Sequence, residues 1–421
     1  MLVHIAEQSF GNASWQEAFS MPDTHVPAYP MRRECPFDPP PELRRLRAES
    51  PVSRVRLWDG SHPWLITGYD DQRAVLADPR FSADVTRPGY PHITAASAAR
   101  RKRSRSLISM DEPEHGRYRK MLTSTFMIKK VEALRPRIQG IVDGLIDDLL
   151  AGSPPADLVT AFALPVPSLV ICELLGVPYA DHEFFQRCSR IIVSSRSTAE
   201  DSIATSDELK DYLVRLVDAK NTEPADDLLS RLVVDQLRTG VMTRSQIADM
   251  GLLLLIAGHE TTANMIALGT LTMLQHPDQL AELRASSDPK LIAGAVEELL
   301  RYLNIVHSGR RRVAVADVEI GGRLIRAGEG VIVATDVGNR DAGAFPDPDV
   351  LDIHRPARHH VAFGYGVHQC LGQPLARVEL QVVYGTLYRR MPTLRAAVPV
   401  EEIRFKHDML VYGVHELPVS W

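Results

Sequence analysis

From residue 113 to about 305, apolar positions recur at i, i+3 and i+4, the pattern of helices that bury one face. "GRYRKMLTSTFM", "VEALRPRIQGIVDGLIDDLLA", "PSLVICELLGV", "DHEFFQRCSRIIV" and "DELKDYLVRLVDAK" each carry it. The longest predicted helix starts at Thr243, where Thr243 and Gln246 are spaced for a capping box, and stops near Gln275, ahead of Pro277. At ~1.5 Å per residue it would be roughly 48 Å long, enough to cross a large domain.

The alternation changes at both ends of the chain. "VSRVRLW" and "PWLITGY" predict short strands, followed by a helix in "YDDQRAVLAD". Beyond residue 312, "RRVAVADVEIGG", "RLIRAGEGVIVAT" and "EEIRFKHDMLVYGVHELPVSW" predict strands, with hairpin turns at Gly321-Gly322 and Gly328–Gly330. "LARVELQVVYGTLYRRM" adds one late helix. Residues 83–110, broken by Gly, Pro and Ser, predict a long loop. Its basic run (Arg100, Arg101, Lys102, Arg103, Arg105) predicts a solvated segment. The fold class is mainly α with small β-sheets. Residues 1–30 read as an N-terminal tail with Met21 as an alternative start, and residues 31–421 as a single domain.

Composition narrows the function classes. The chain has 421 residues, 45% hydrophobic and 24% charged, with a net charge of -5. Mild acidity gives no reason to expect a nucleic-acid partner. Cys35, Cys172, Cys188 and Cys370 lie far apart without CxxC spacing, which points to reduced thiols in a cytoplasm. The run "MGLLLLIAGHETTANMIALGTLTML" is interrupted by His259, Glu260 and Asn264, and its unbroken apolar part falls short of the ~20 residues that span a bilayer. No membrane span is expected.

Four stretches carry candidate chemistry. In "FGYGVHQCLG", Gly364, Gly366 and Gly372 surround Cys370 ahead of a predicted helix. Glycines allow close backbone approach, and a helix N-terminus stabilises a thiolate, so Cys370 could serve as nucleophile or metal ligand. In "AGHETTAN", Glu260 and Thr261 sit in an otherwise apolar helix, where burial without partners is costly. Gly258 there implies that something approaches the backbone closely. A zinc-protease HExxH motif is excluded because its last position is Ala263. In "EELLRYL", Glu298 and Arg301 share a helix face. In "MDEPEHGRYRKML", His115 and Arg119 lie one turn apart after Pro113.

In order and spacing these four stretches resemble the signature set of the cytochrome P-450 monooxygenases. The haem loop of that family is matched by Phe363, Gly366, Cys370 and Gly372, with Gly364 beside them, and its acid–threonine motif by Ala257, Gly258, Glu260 and Thr261. Glu298 and Arg301 match its Glu-x-x-Arg pair, with Arg355 in the place of the third member. His115, Arg119, Arg312 and His368 match residues that hold the haem propionates. The resemblance spans roughly residues 33–421 and is nearest to soluble bacterial members that hydroxylate macrolides, statin precursors and vitamin D-type secosteroids.

The resemblance implies a haem b (iron protoporphyrin IX) between the long distal helix and the helix after the cysteine loop. Cys370 would be the axial ligand of the iron. Thr261 would hydrogen-bond the bound dioxygen, Glu260 would feed a proton relay, and Gly258 would leave room for O2. Glu298, Arg301 and Arg355 would brace the core. The substrate would be an apolar small molecule, walled by residues 83–110, 184–205, Leu254 and Ala257, Ile305–His307 and Met409–Val411, with "SSRSTAEDSIATS" as a mobile lid. No nucleotide fingerprint or iron–sulfur cysteine cluster is visible, so a ferredoxin and its NAD(P)H-dependent reductase would supply electrons to a cytoplasmic monomer, and Arg389 and Arg390 could steer the ferredoxin. Two rivals remain: a haem-thiolate sensor or non-monooxygenase catalyst, and a zinc protein using His359, His360, His368 and Cys370, whose spacing suits zinc poorly.

Overall fold

The most continuous apolar stretch lies at the centre of the molecule. In a computed structural model, which describes residues 26–103 and 106–421, it is the helix Arg244–Leu274. Its start is fixed as the spacing predicts: Gln246 N–H donates to Thr243 Oγ1 at 3.2 Å, and Thr243 N–H to Gln246 Oε1 at 2.8 Å. This helix is long and apolar enough to cross a membrane, yet most of its apolar window is buried inside the protein. Helices Ala199–Thr222, Pro165–Leu175 and Gln373–Arg390 pack around it. One apolar cluster, running from Leu107 to Val419, joins these helices.

The predicted helices are present, with shifted ends. "VEALRPRIQGIVDGLIDDLLA" breaks at Leu134 into Ile128–Ala133 and Arg135–Ala151. Pro136 lacks an N–H and fits only a first turn, so a new helix starts there. The loop expected over 83–110 contains the helix Ala95–Arg103 and a short turn at Leu107–Ser109. An Ala- and Arg-rich stretch with little apolar periodicity hid this helix.

Five strands form a sheet in the order Val52–Arg54, Trp64–Ile66, Gly330–Val333, Arg310–Ala314, Phe81–Ser82. Gly330–Val333 runs parallel to Trp64–Ile66 and antiparallel to Arg310–Ala314, with Arg312 opposite Val331. Gly321-Gly322 makes the expected hairpin between Val318–Ile320 and Arg323–Ile325. Gly328–Gly330 does not; it links that hairpin to the five-stranded sheet. The long C-terminal strand prediction reduces to Pro418–Ser420 and a bridge between Phe405 and Val414, and the turns between them reach the central cavity. Of the expected tail, residues 1–25 lie outside the described residues. Ala28 pairs with Arg56 and Tyr29 is buried, so residues 26–30 pack onto the body.

Candidate active site

The cysteine loop is shaped by two glycines. Gly364 and Gly366 hold φ of +75° and +72°, a region side chains rarely enter. A Cβ on Gly366 would also strike the Leu76 carbonyl. The turn lets Cys370 N–H donate to the Phe363 carbonyl at 2.9 Å. Helix Gln373–Arg390 follows, capped at Gly372, whose φ of -79° is ordinary and where a Cβ would meet nothing within 4 Å. The Phe363 ring lies 4.6 Å from the Arg377 guanidinium. Burial pushes the Cys370 thiol up, against the pull of Arg310, the Gly372 N–H, Arg119 and Arg377. Burial therefore outweighs the expected help of the helix N-terminus, and a stable thiolate here needs another positive charge, such as a metal ion.

Across the cavity, Ala257, Glu260 and Thr261 of the long helix line the wall. Three side chains there donate to carbonyls one turn back: Thr261 Oγ1 to Ala257 at 2.7 Å, Asn264 Nδ2 to Glu260 at 2.7 Å, and His259 Nδ1 to Leu255 at 2.6 Å. Such bonds bend and open a helix. Glu260 is buried, with Oε2 3.9 Å from Lys406 Nζ and Oε1 3.9 Å from His259 Nε2. Burial lowers the affinity of both Lys406 and His259 for a proton, partly offset by Glu260. Gly258 serves another purpose than expected. A Cβ there would come 2.8 Å from Ile171 Cγ1, so the close approach is by helix Pro165–Leu175, and the cavity side belongs to Ala257 and Thr261.

Between these walls lies a cavity of about 510 Å³ that reaches Gly364, Tyr365 and His368 of the cysteine loop. His115, Arg119, Arg312 and His368 meet at its edge. The rings of His115 and His368 are 4.1 Å apart, and Arg119 Nη2 donates to the Gln369 carbonyl at 2.7 Å. Burial, then Arg312, His115 and Arg119, push the His368 imidazole down to about 3. His115 has an acidic partner in Glu112 at 2.9 Å, and Arg312 feels the charge of Asp111. Two arginines, Arg119 and Arg312, beside two imidazoles make a setting that suits anionic groups.

Known proteins match this arrangement over nearly the whole chain. A family model, Cytochrome P450, matches residues 182–391. The chain is 55% identical to cytochrome P450-SU2 of Streptomyces griseolus over 96% of its length and 98% of the relative's. The chain belongs to the cytochrome P-450 family. It is also 49% identical to the vitamin D3 dihydroxylase of the same species, over 94% of this chain and 98% of that one. Among solved structures, the mycinamicin VIII C21 methyl hydroxylase MycCI of Micromonospora griseorubida, bound to mycinamicin VIII, superposes with a TM-score of 0.89 at 43% identity, over 94% of this chain and 100% of that one. The chain is thus a P-450 monooxygenase that uses haem b, molecular oxygen, a small-molecule substrate and redox partners.

The residues present fit the haem. Cys370 is half-buried on the loop whose Gly364, Tyr365 and His368 line the cavity, Arg119 and Arg312 beside it suit carboxylates, and Gly364 keeps the loop close enough that a Cβ would sit 3.1 Å from Arg310 Nε. Sequence reasoning missed Arg310. Its Nη2 donates to the Ala362 carbonyl at 2.7 Å, its Nε has no partner, and burial pushes it down to about 10. The run of three arginines was its signal, but only the folded strand shows that all three line the P-450 cavity. Lys406 was missed too, because its closeness to Glu260 depends on the C-terminal turns.

Glu298, Arg301 and Arg355 converge away from the cavity. Arg301 Nε and Nη2 each donate to Glu298 at 2.7 Å, and Arg355 Nε donates at 3.2 Å. A second bracket was not foreseen: Glu297 accepts from Arg377 Nε at 2.5 Å and lies 3.3 Å from His360 Nε2. Burial would push Glu297 up, but His360 and Arg377 outweigh it and hold it at about 2.

The zinc reading fails on geometry. His359 stacks on Phe345 at 4.3 Å, His360 faces Glu297, and His368 faces His115. Arg390 is engaged by Asp143 and Asp147, whereas Arg389 is exposed and bonds only the Gly385 carbonyl of its own helix. The expected lid is helical from Ala199, and Ser195 Oγ and Ser197 Oγ each donate at 2.7 Å, to the Asp408 and Ile191 carbonyls. Of the expected walls, Ile192, Ile203, Val306, Leu410, Val411 and Ala257 line the cavity, and the neighbours Leu253 and Ile256 stand where Leu254 was expected. Arg100 lines it as well, against the expectation of a solvated basic run. The side chains of residues 101–105 lie outside the described residues.

Proposed function

We propose that this P-450 is a ferredoxin-fed hydroxylase of a bulky, mainly apolar small molecule, and that residues 31–421 act as one domain of a cytoplasmic monomer. The observation that carries the site reading is Cys370 on its glycine-shaped loop, with Arg119, Arg312, His115 and His368 gathered beside it and the Glu260–Thr261 pair across the cavity. Relatives that act on vitamin D3 and on mycinamicin VIII favour a substrate of macrolide or secosteroid size. Statin precursors and other polyketides fall in the same range.

When bound, haem supplies oxygen activation, with a thiolate ligand favouring O–O cleavage. Cys370 would hold its iron, while Arg119, Arg312, His115 and His368 would hold its propionates. Gly364 and Gly366 shape the loop for close approach, Phe363 packs on Arg377, and Gly372 starts the helix behind it. Thr261 Oγ1, tied to the Ala257 carbonyl, presents its lone pairs to the cavity and can pass a proton inward. Glu260 lies next on that path, with Oε2 3.9 Å from Lys406 Nζ. Glu298, Arg301 and Arg355 position the segment leading to the cysteine loop and take no part in proton transfer.

Product formed per NAD(P)H consumed tests this reading. Thr261→Ala is expected to lower it by about tenfold or more, with hydrogen peroxide taking up the difference. Unchanged coupling in that variant would remove Thr261 from the proton path. A sensor would show no product in either protein.

A further inference from the structure

The cavity holds more positive charge than two haem propionates require. Strand Arg310–Ala314 brings three consecutive arginines to its wall, and Arg100 joins them from helix Ala95–Arg103. Arg312 belongs with the group around His368, because it acts on that imidazole together with His115 and Arg119. Strand alternation turns Arg311 away from Arg310 and Arg312. Its charged neighbour on the cavity wall is Arg100, whose guanidinium is held below its usual range by burial and then by Arg311.

Among the described residues, these two side chains have no ion-pair partner. Arg100 Nε and Arg311 Nε and Nη1 are shut off from water and have no hydrogen-bond partner among the described residues. Acids on the same wall are engaged elsewhere: Asp249 with Lys210 at 2.8 Å, Glu260 near Lys406, and Asp207 with contacts of its own. Two like-charged, partly desolvated guanidiniums oppose folding unless an anion joins them. The same cavity also carries aliphatic side chains: Ile192, Leu253, Ile256, Val306 and Val411.

We propose that Arg100 and Arg311 form a carboxylate subsite, so that the substrate is an organic acid whose apolar body extends along the aliphatic wall toward Thr261. Guanidinium forks match the planar carboxylate in two-point contact, and the hydrocarbon wall rejects a second charge. This inference rests on the reading of the cavity as a haem-thiolate site, and it adds a carboxylate to the apolar substrate expected from sequence.

The test titrates the holoenzyme with dodecanoic acid and with methyl dodecanoate, followed by calorimetry and by the spin-state shift. The wild type is expected to bind the acid about ten- to a hundredfold more tightly than the ester. Arg311→Gln and Arg100→Gln should each remove most of that preference with haem content unchanged, and Arg311→Lys should keep part of it. Equal affinity for acid and ester in the wild type would overturn the proposal. So would a preference that survives both glutamine variants, or loss of haem from Arg311→Gln with the preference intact, which would give Arg311 to a propionate. Absence of the reduced carbon monoxide band would overturn the haem-thiolate reading, while a calorimetric preference would still uphold the subsite.

Discussion

Arg301 and Arg311 are ten residues apart, and their surroundings are opposite. Arg301 is fully buried and makes five hydrogen bonds: two to Glu298 at 2.7 Å, and others to the carbonyls of Asn339, Pro348 and Val350 at 2.9, 2.8 and 3.3 Å. Arg311 has two nitrogens shut off from water with no hydrogen-bond partner among the described residues. Arg340 resembles the first, with its guanidinium 3.7 Å from the Tyr302 ring and bonds to Phe37, Tyr302 and Asp349. Arg310 and Arg100 resemble the second. A saturated buried arginine belongs to the scaffold, whereas an unsaturated one at a cavity awaits a ligand.

Removing the saturated arginine should have the largest effect. Arg301→Ala strands the buried Glu298 carboxylate and is expected to destabilise the protein by about 3–5 kcal/mol, read by denaturant unfolding. A loss below about 1 kcal/mol would break the distinction.

The Glu297 bracket comes next, and its pH dependence has a defined sign. Held at about 2 against an ordinary 4.5, Glu297 adds stability that is complete above about pH 4.5 and is lost as pH falls toward 2. Glu297→Gln should therefore lose about 3 kcal/mol at pH 7 and flatten the acid limb of the stability curve between those values. An unchanged acid limb would contradict the bracket.

Glu379 sharpens the comparison with the reverse sign. Burial alone pushes it up to about 8, and its Oε2 has no partner. Stability should fall as pH rises from about 4.5 to 8, so Glu379→Gln should stabilise the protein by a few kcal/mol at pH 9 and leave it unchanged at pH 4. Thermal melts at the two pH values would show it; a variant that melts lower at pH 9 would refute it.

The smallest effect belongs to the unsaturated arginine. Arg311→Met should leave ligand-free stability unchanged or raise it by about 1 kcal/mol, since it removes a charge without a partner. A loss near that of Arg301→Ala would mean that Arg311 is structural.

The same contrast explains what the sequence could show. The loop at Cys370 and the helix turn at Glu260–Thr261 are local, so spacing alone exposes them, and the capping box at Thr243 is local as well. Arg310, Arg311 and Lys406 look like ordinary surface charges in one dimension. Their burial follows from how Gly330–Val333 pairs with Arg310–Ala314 and from how the C-terminal turns fold against the long helix. Gly258 was read toward the wrong neighbour for the same reason, because Ile171 lies nearly ninety residues away in the chain. The helix Ala95–Arg103 lacks a clear apolar stripe, and helix Ala199–Thr222 packs against it.

The central claim is that Cys370 reaches the haem iron as a thiolate although burial alone keeps its thiol protonated. The absorption spectrum of the reduced protein with carbon monoxide tests this most directly. The expected result is a Soret band at the long-wavelength position that gives the family its name, and its loss in Cys370→His with haem retained. A band at the position of histidine-ligated haems in the wild type would contradict the assignment.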